Sequence, residues 1–210
     1  MPLRGVRVIA AWSPRATTPE DSRAALGVRH DGAVGGAAGK ADDGAEPGLA
    51  HVVFPLEVDA NGWPPVASER LWAFDLGRGR YRIDNVPWFV RDLAVGDIVI
   101  ATAPDPEAHL VFQRLESRSD HLTIRLICFR RGPLEGRLEP VVEAFTPLGV
   151  WAEGAEQYGM VALDVPPTAP LKALHERLLA GEVNGSWAWE EGRITSAWTQ
   201  ATESPGTTIR

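Results

Sequence analysis

The sequence has a single cysteine, Cys128. One thiol closes no disulfide within the chain, which fits a reducing compartment. Cys128 lies in an apolar run, where a buried, inert thiol is expected rather than a nucleophile. No stretch approaches the ~18 apolar residues of a membrane helix. The opening, MPLRGVRVIAAWSPR, has only a short apolar run, interrupted by Arg7 and closed by Ser13-Pro14, too short for a signal peptide. A cytoplasmic location is therefore expected. Catalytic signatures are also absent: there is no Gly-x-Ser-x-Gly, no His-Glu-x-x-His and no pair of Cys-x-x-Cys. Gly39-Lys40 fails as a phosphate loop, because Val34 stands where a glycine is required and Ala41 where Ser or Thr is required. Asp105, Glu107 and His109 alternate, but Pro104 and Pro106 interrupt the extension a metal site would need. Neither metal nor cofactor is expected. An excess of basic charge is missing as well: the net charge of -7 disfavours nucleic acid. Arg78, Arg80, Arg82 and Arg91 lie close in sequence and read as a solvated hairpin edge.

What is present is a β-rich middle. Leu71, Ala73 and Asp75 alternate with Trp72, Phe74 and Leu76, the period of a strand. Gly77-Arg-Gly-Arg80 is a tight turn, and Tyr81 to Asp84 returns as the second arm of a hairpin. Pro87 holds Val86 extended, so Asn85 to Phe89 reads as a kinked connection. Ile98 to Ala101, His109 to Leu115 and His121 to Phe129 are further strands, and His51 to Glu57 opens the set. Several short strands at this spacing predict a small barrel-like module over about 49–120. The composition of 1–48, nearly all Gly, Ala and charge from Asp31 onward, predicts a disordered tail. Trp12 is its one large apolar group, and Glu20 to Gly27 has the pattern of a helical turn.

After Phe129 the period changes. Leu134, Leu138, Val141, Val142 and Phe145 mark one face of a helix. Strands follow at Val150 to Glu153 and at Tyr158 to Val165. A second helix carries Leu171, Leu174 and Leu178, capped from Thr168 and ended by Gly181. Ser186 to Glu190 is the last strand, with Trp187 and Trp189 on one face. The order βαββαβ predicts a ferredoxin-like sandwich over 121–195, and a frayed tail over 196–210. The expected class is α+β.

Phe54, Asp59, Gly62, Pro64-Pro65, Glu69-Arg-Leu-Trp72, Tyr81-Arg-x-Asp-Asn85, Pro87, Gly96-Asp97, Leu110-Val-Phe112 and Ser119-x-His121 occur in an order that resembles the bacterial "domain of unknown function four-two-six-five" proteins. The resemblance covers about 51–192. Trp88 stands where that family tends to have Phe, and Asp120 where Gly is more usual. The resemblance implies a fold boundary and a compartment but no reaction.

Two functional readings follow. The first is a non-catalytic binding or accessory module, immunity-like or part of a gene cluster, that recognises a protein or a small molecule. Its candidate residues are Asn85, Trp88 and Phe89 at the kink, with Arg91 and Arg125. The second is a small-metabolite enzyme using an acid–base pair of His121 with Asp97 or Glu69.

Overall fold

The computed structural model describes residues 48–105 and 108–203. The N-terminal stretch read above as a tail lies outside them, with Trp12, residues 20–27 and Gly39-Lys40. Glu107 of the alternating Asp105–His109 set and residues 204–210 also lie outside.

Five strands, β1 (Leu49–Pro55), β2 (Ser68–Asp75), β3 (Arg80–Ile83), β4 (Ile98–Thr102) and β5 (Leu110–Ser117), form a ring-like sheet in sequence order. Each is antiparallel to the next, and the seam is a short parallel pairing, Val52 with Leu110 and Val53 with Val111. The turn between β2 and β3 holds three successive positive φ angles, at Gly77, Arg78 and Gly79. Two of the three fall on the residue that adopts them without a Cβ penalty. Asp75 braces the turn by accepting the Gly77 N–H at 2.7 Å. Alternation along the strands sends Val52, Phe54, Leu71, Ala73, Ile83, Val99 and Ala101 inward to one core.

The second sheet has the strands β6 (Leu122–Cys128), β7 (Trp151–Ala155), β8 (Met160–Val165) and β9 (Trp187–Arg193) in the order β7-β8-β6-β9, all antiparallel. Leu122, Ile124, Leu126 and Cys128 face the helices α1 (Glu139–Phe145), α2 (Leu171–Val183) and α3 (Ser196–Thr202), and pack with Phe145, Leu174, Leu178, Trp187 and Trp198. Burial there pushes the Cys128 thiol pKa up, which keeps it protonated and inert. The residues of opposite parity on β6, Thr123 and Arg125, face the ring instead. The molecule is thus mixed α+β with two sheets, as expected.

Four local expectations differ from the structure. The first helix begins at Glu139 and not near Leu134, because Glu135 and Gly136 both have positive φ, which no right-handed helix tolerates. Gly181 lies inside α2 and does not end it. A Cβ there would sit 2.0 Å from the Trp187 ring, so the glycine makes room for the indole. The helix is entered from Pro170, with no side-chain cap from Thr168. Residues 196–202, read as the start of a frayed tail, form α3. Thr195 caps it, Trp198 is fully buried, and the Trp198 Nε1–H donates to Glu191 at 2.6 Å.

Candidate functional site

The connection from β3 to β4, residues 84–97, leaves the ring and runs over the exposed face of the second sheet. Val86, Leu93 and Ala94 bury their side chains, and polar side chains hold its backbone. Glu69, at the edge of β2, accepts the N–H groups of Trp88, Phe89 and Val90 at 2.6, 2.8 and 2.8 Å. Arg125 of β6 donates to the carbonyls of Pro87 and Val90, and pairs with Glu190 at 2.8 Å. Asn85 Oδ1 accepts the Trp72 N–H at 2.7 Å. Thr123 donates to the Leu93 carbonyl at 2.8 Å. Asp97 accepts from Ala94 N–H at 3.0 Å and Ser119 N–H at 2.6 Å. Arg193 of β9 completes the joint, donating to the carbonyls of His121 and Ser119, with Asp97 3.7 Å away. Phe89 closes it edge-on between Trp63 and Tyr158.

Where this connection meets the free edge of the second sheet there is a cleft of about 260 Å³. Asp84, Asn85, Val86 and Val95 line one side, and Trp151 and Glu153 of β7 with Asp164 of β8 line the other. Trp151 and Glu153 are two residues apart on one strand and so share a face. Asp164 is the cross-strand partner of Trp151. The Trp151 indole is 77% exposed, the most exposed aromatic side chain among the described residues. His121 Nδ1 lies 2.7 Å from Asp164 Oδ1.

The electrostatics of the cleft follow from desolvation first and from crowded charge second. Burial pushes the Asp164 pKa up, against the pull of His121. Glu153 is exposed at its surface, but the cleft walls around its carboxyl desolvate it and raise its pKa, and the charges of Asp164, Glu69 and Asp84 add to the shift. Glu69 is raised by burial too, against its three N–H donors and Arg125. Among the described residues, the carboxylates of Asp84 and Glu153 have no hydrogen-bond or ion-pair partner. Like charges held this close favour either a proton or an incoming cation. Among the described residues, no three His, Cys, Asp or Glu side chains are grouped to hold a metal ion.

The expected site residues divide accordingly. Asn85 lines the cleft and His121 borders it through Asp164. Glu69 and Asp97 are buried, bind backbone N–H groups, and are not bonded to His121, so the expected acid–base pairs do not form. Arg125 is buried with its donors engaged, and holds the joint. Trp88 and Phe89 are half-buried, and Arg91 is exposed. Sequence reasoning missed Asp84, Trp151, Glu153 and Asp164. The one signal for β7 was a lone Trp and Glu two apart among small residues.

No curated protein matches the chain. A solved structure described as "Novel crystal structure of a hypothetical protein from Neisseria gonorrhoeae" is similar in fold, with a TM-score of 0.54 and 20% identity over 72% of this chain and 97% of that one. A family model described as Domain of unknown function (DUF4265) matches residues 69–189. That span runs from Glu69 through both walls of the cleft to Trp189 of β9, and takes in the joint apart from Trp63, Glu190 and Arg193. The chain belongs to the DUF4265 family.

Proposed function

We propose that the chain is a non-catalytic binding or accessory module that recognises a cationic group, carried by a protein or a small molecule, in the cleft of Asp84, Asn85, Trp151, Glu153 and Asp164. One observation carries the reading: three carboxylates converge on a single cleft walled by an exposed indole. A cation entering there offsets the burial that raises Glu153 and Asp164, and relieves the repulsion from Asp164, Glu69 and Asp84 that adds to the shift of Glu153. Over the indole face it gains about 0.5–1 kcal/mol more. The net charge of -7 also draws cationic partners and repels nucleic acid. In the same reading, 49–120 is a small barrel and 121–195 a ferredoxin-like sandwich, supported by the βαββαβ order and the strand order β7-β8-β6-β9. An immunity-like or gene-cluster accessory role in the cytoplasm fits this class. No helix of the described residues is long and apolar enough to cross a membrane.

The test is a titration of the isotope-labelled chain with Nα-acetyl-lysine amide and its uncharged norleucine analogue. The lysine compound should shift the Trp151 indole and the Glu153 amide at millimolar concentration, and the norleucine compound should not. Trp151→Ala should weaken the effect while leaving stability within about 0.5 kcal/mol, as is usual at surfaces. Equal responses to both compounds, or shifts away from the cleft, would remove the reading.

The second reading, a small-metabolite enzyme, draws on the contact between His121 and Asp164. A His–carboxylate pair beside a cleft can move a proton. No Ser, Thr, Cys or Lys lines the cleft to act as a nucleophile. Depletion of a metabolite from cell extract by the parent chain, abolished in His121→Gln, would favour this reading.

A further inference from the structure

We infer that the partner of the cleft is an extended basic peptide that adds as a strand to the free edge of β7 and places a Lys or Arg side chain among Glu153, Asp164 and Trp151. This rests on the binding reading above. The strand order leaves β7 at the edge of its sheet. Its backbone pairs with β8 over Trp151–Ala155, and among the described residues no backbone group of β7 bonds elsewhere. An edge of this kind offers a row of N–H and C=O groups to an incoming chain. The same strand presents Trp151 and Glu153 to the cleft, so a side chain opposite Glu153 would lie about 4.5–5.5 Å away, Cβ to Cβ. Main-chain pairing and charge recognition thus coincide on five residues.

The charge pattern selects the occupant. Glu153 is the only charged residue of β7. A second copy of the chain, paired antiparallel about the middle of β7, would set Glu153 against its own copy, which is destabilising. A basic peptide meets the opposite sign. On the other face, Gly154 lies against Leu138, and Ala152 packs on the helix-side core. The residues flanking the basic one should therefore be apolar.

The experiment uses the full labelled chain and four probes: a capped heptapeptide of alternating threonine and valine with a central lysine, the same peptide with a central glutamate, the lysine peptide N-methylated at alternate amides, and Nα-acetyl-lysine amide. The lysine peptide should bind at least about tenfold more tightly than the small amine, a difference of about 1.4 kcal/mol. It should also shift the amides of residues 151–155. N-methylation should erase that advantage, since it removes ladder donors and keeps the charge. The glutamate peptide should bind at least about tenfold more weakly, and Glu153→Lys should reverse that preference. If the small amine binds the cleft and the lysine peptide binds no better, strand addition is wrong and the binding reading survives. If neither binds, both are wrong. Concentration-dependent protection of the β7 amides without peptide would show a second copy on this edge and overturn the proposal.

Discussion

Glu69 and Arg125 hold the same short segment from opposite charges: Glu69 takes the N–H groups of Trp88, Phe89 and Val90, and Arg125 gives to the carbonyls of Pro87 and Val90. One residue belongs to the ring and the other to the central strand of the second sheet. The segment between them is fastened by its backbone, which leaves the exposed Arg91 side chain beside it open to other uses.

Glu69→Gln tests this clamp. The substitution keeps the volume but replaces one acceptor with an NH₂ that faces backbone donors. A buried donor left without a partner costs about 1–3 kcal/mol. The variant should unfold at lower urea with an unchanged m-value. A stability equal to the parent's would show that the clamp contributes nothing.

Glu153 gives the pH test. Its folded pKa is raised above the ordinary 4.5, by burial first and then by Asp164, Glu69 and Asp84. A carboxyl with a raised folded pKa binds its proton better in the folded chain. Its contribution to stability is therefore full below the unfolded value and is lost as pH rises through the folded one. Glu153→Gln removes that loss. The variant should be more stable than the parent at neutral pH, and the difference should shrink as pH falls towards 4.5 and below. Melting curves across that range decide it, and a variant less stable at neutral pH would contradict the crowding of charge in the cleft.

Gly181→Ala would usually stabilise a helix interior by about 0.5–1 kcal/mol. Here the new methyl would overlap the Trp187 ring, whose nearest atoms stand 2.0 Å from the Cβ position. Overpacking of this kind costs about 1–3 kcal/mol. Thermal melts should show a lower Tm, and a gain in Tm would mean that the indole moves aside freely.

Trp198→Ala removes a fully buried indole from the helix-side core. The expected loss is about 3–5 kcal/mol. Trp198→Phe should recover much of it while still lacking the bond to Glu191. Chemical denaturation of the two variants separates packing from the hydrogen bond, and an Ala variant as stable as the parent would make α3 an ornament on the core.

The strands were legible because their signal is local. Leu71 and Ala73, or Leu122, Ile124 and Leu126, alternate with residues of the other face, and one core claims each set. The family was legible for a related reason: turn and joint residues such as Gly96-Asp97 and Glu69 recur in a fixed order, and Gly96 with φ 81 sits close against Ser119. The cleft was not legible. Asp84 on one wall and Trp151, Glu153 and Asp164 on the other meet only after the connection crosses from ring to sheet, and no periodicity encodes that crossing. Glu69, Asp97 and Arg125 read as chemistry because they are charged. They are buried because backbone groups 19 or more residues from Glu69, 22 from Asp97 and 35 or more from Arg125 satisfy them. α3 was missed because Ser196 to Thr202 is polar apart from Trp198 and two alanines, and one tryptophan makes no stripe.

Arg193 fastens the joint from β9, and this has a consequence for synthesis on the ribosome. The ring has all its strands once Ser117 has been made, but the bonds to Ser119 and His121 wait until residue 193 leaves the exit tunnel. A nascent chain halted after Cys128 and before Met160 carries a finished ring and a bare β6 with neither flanking strand in place. The centre of the second sheet, rather than the ring, is then the surface a chaperone would meet.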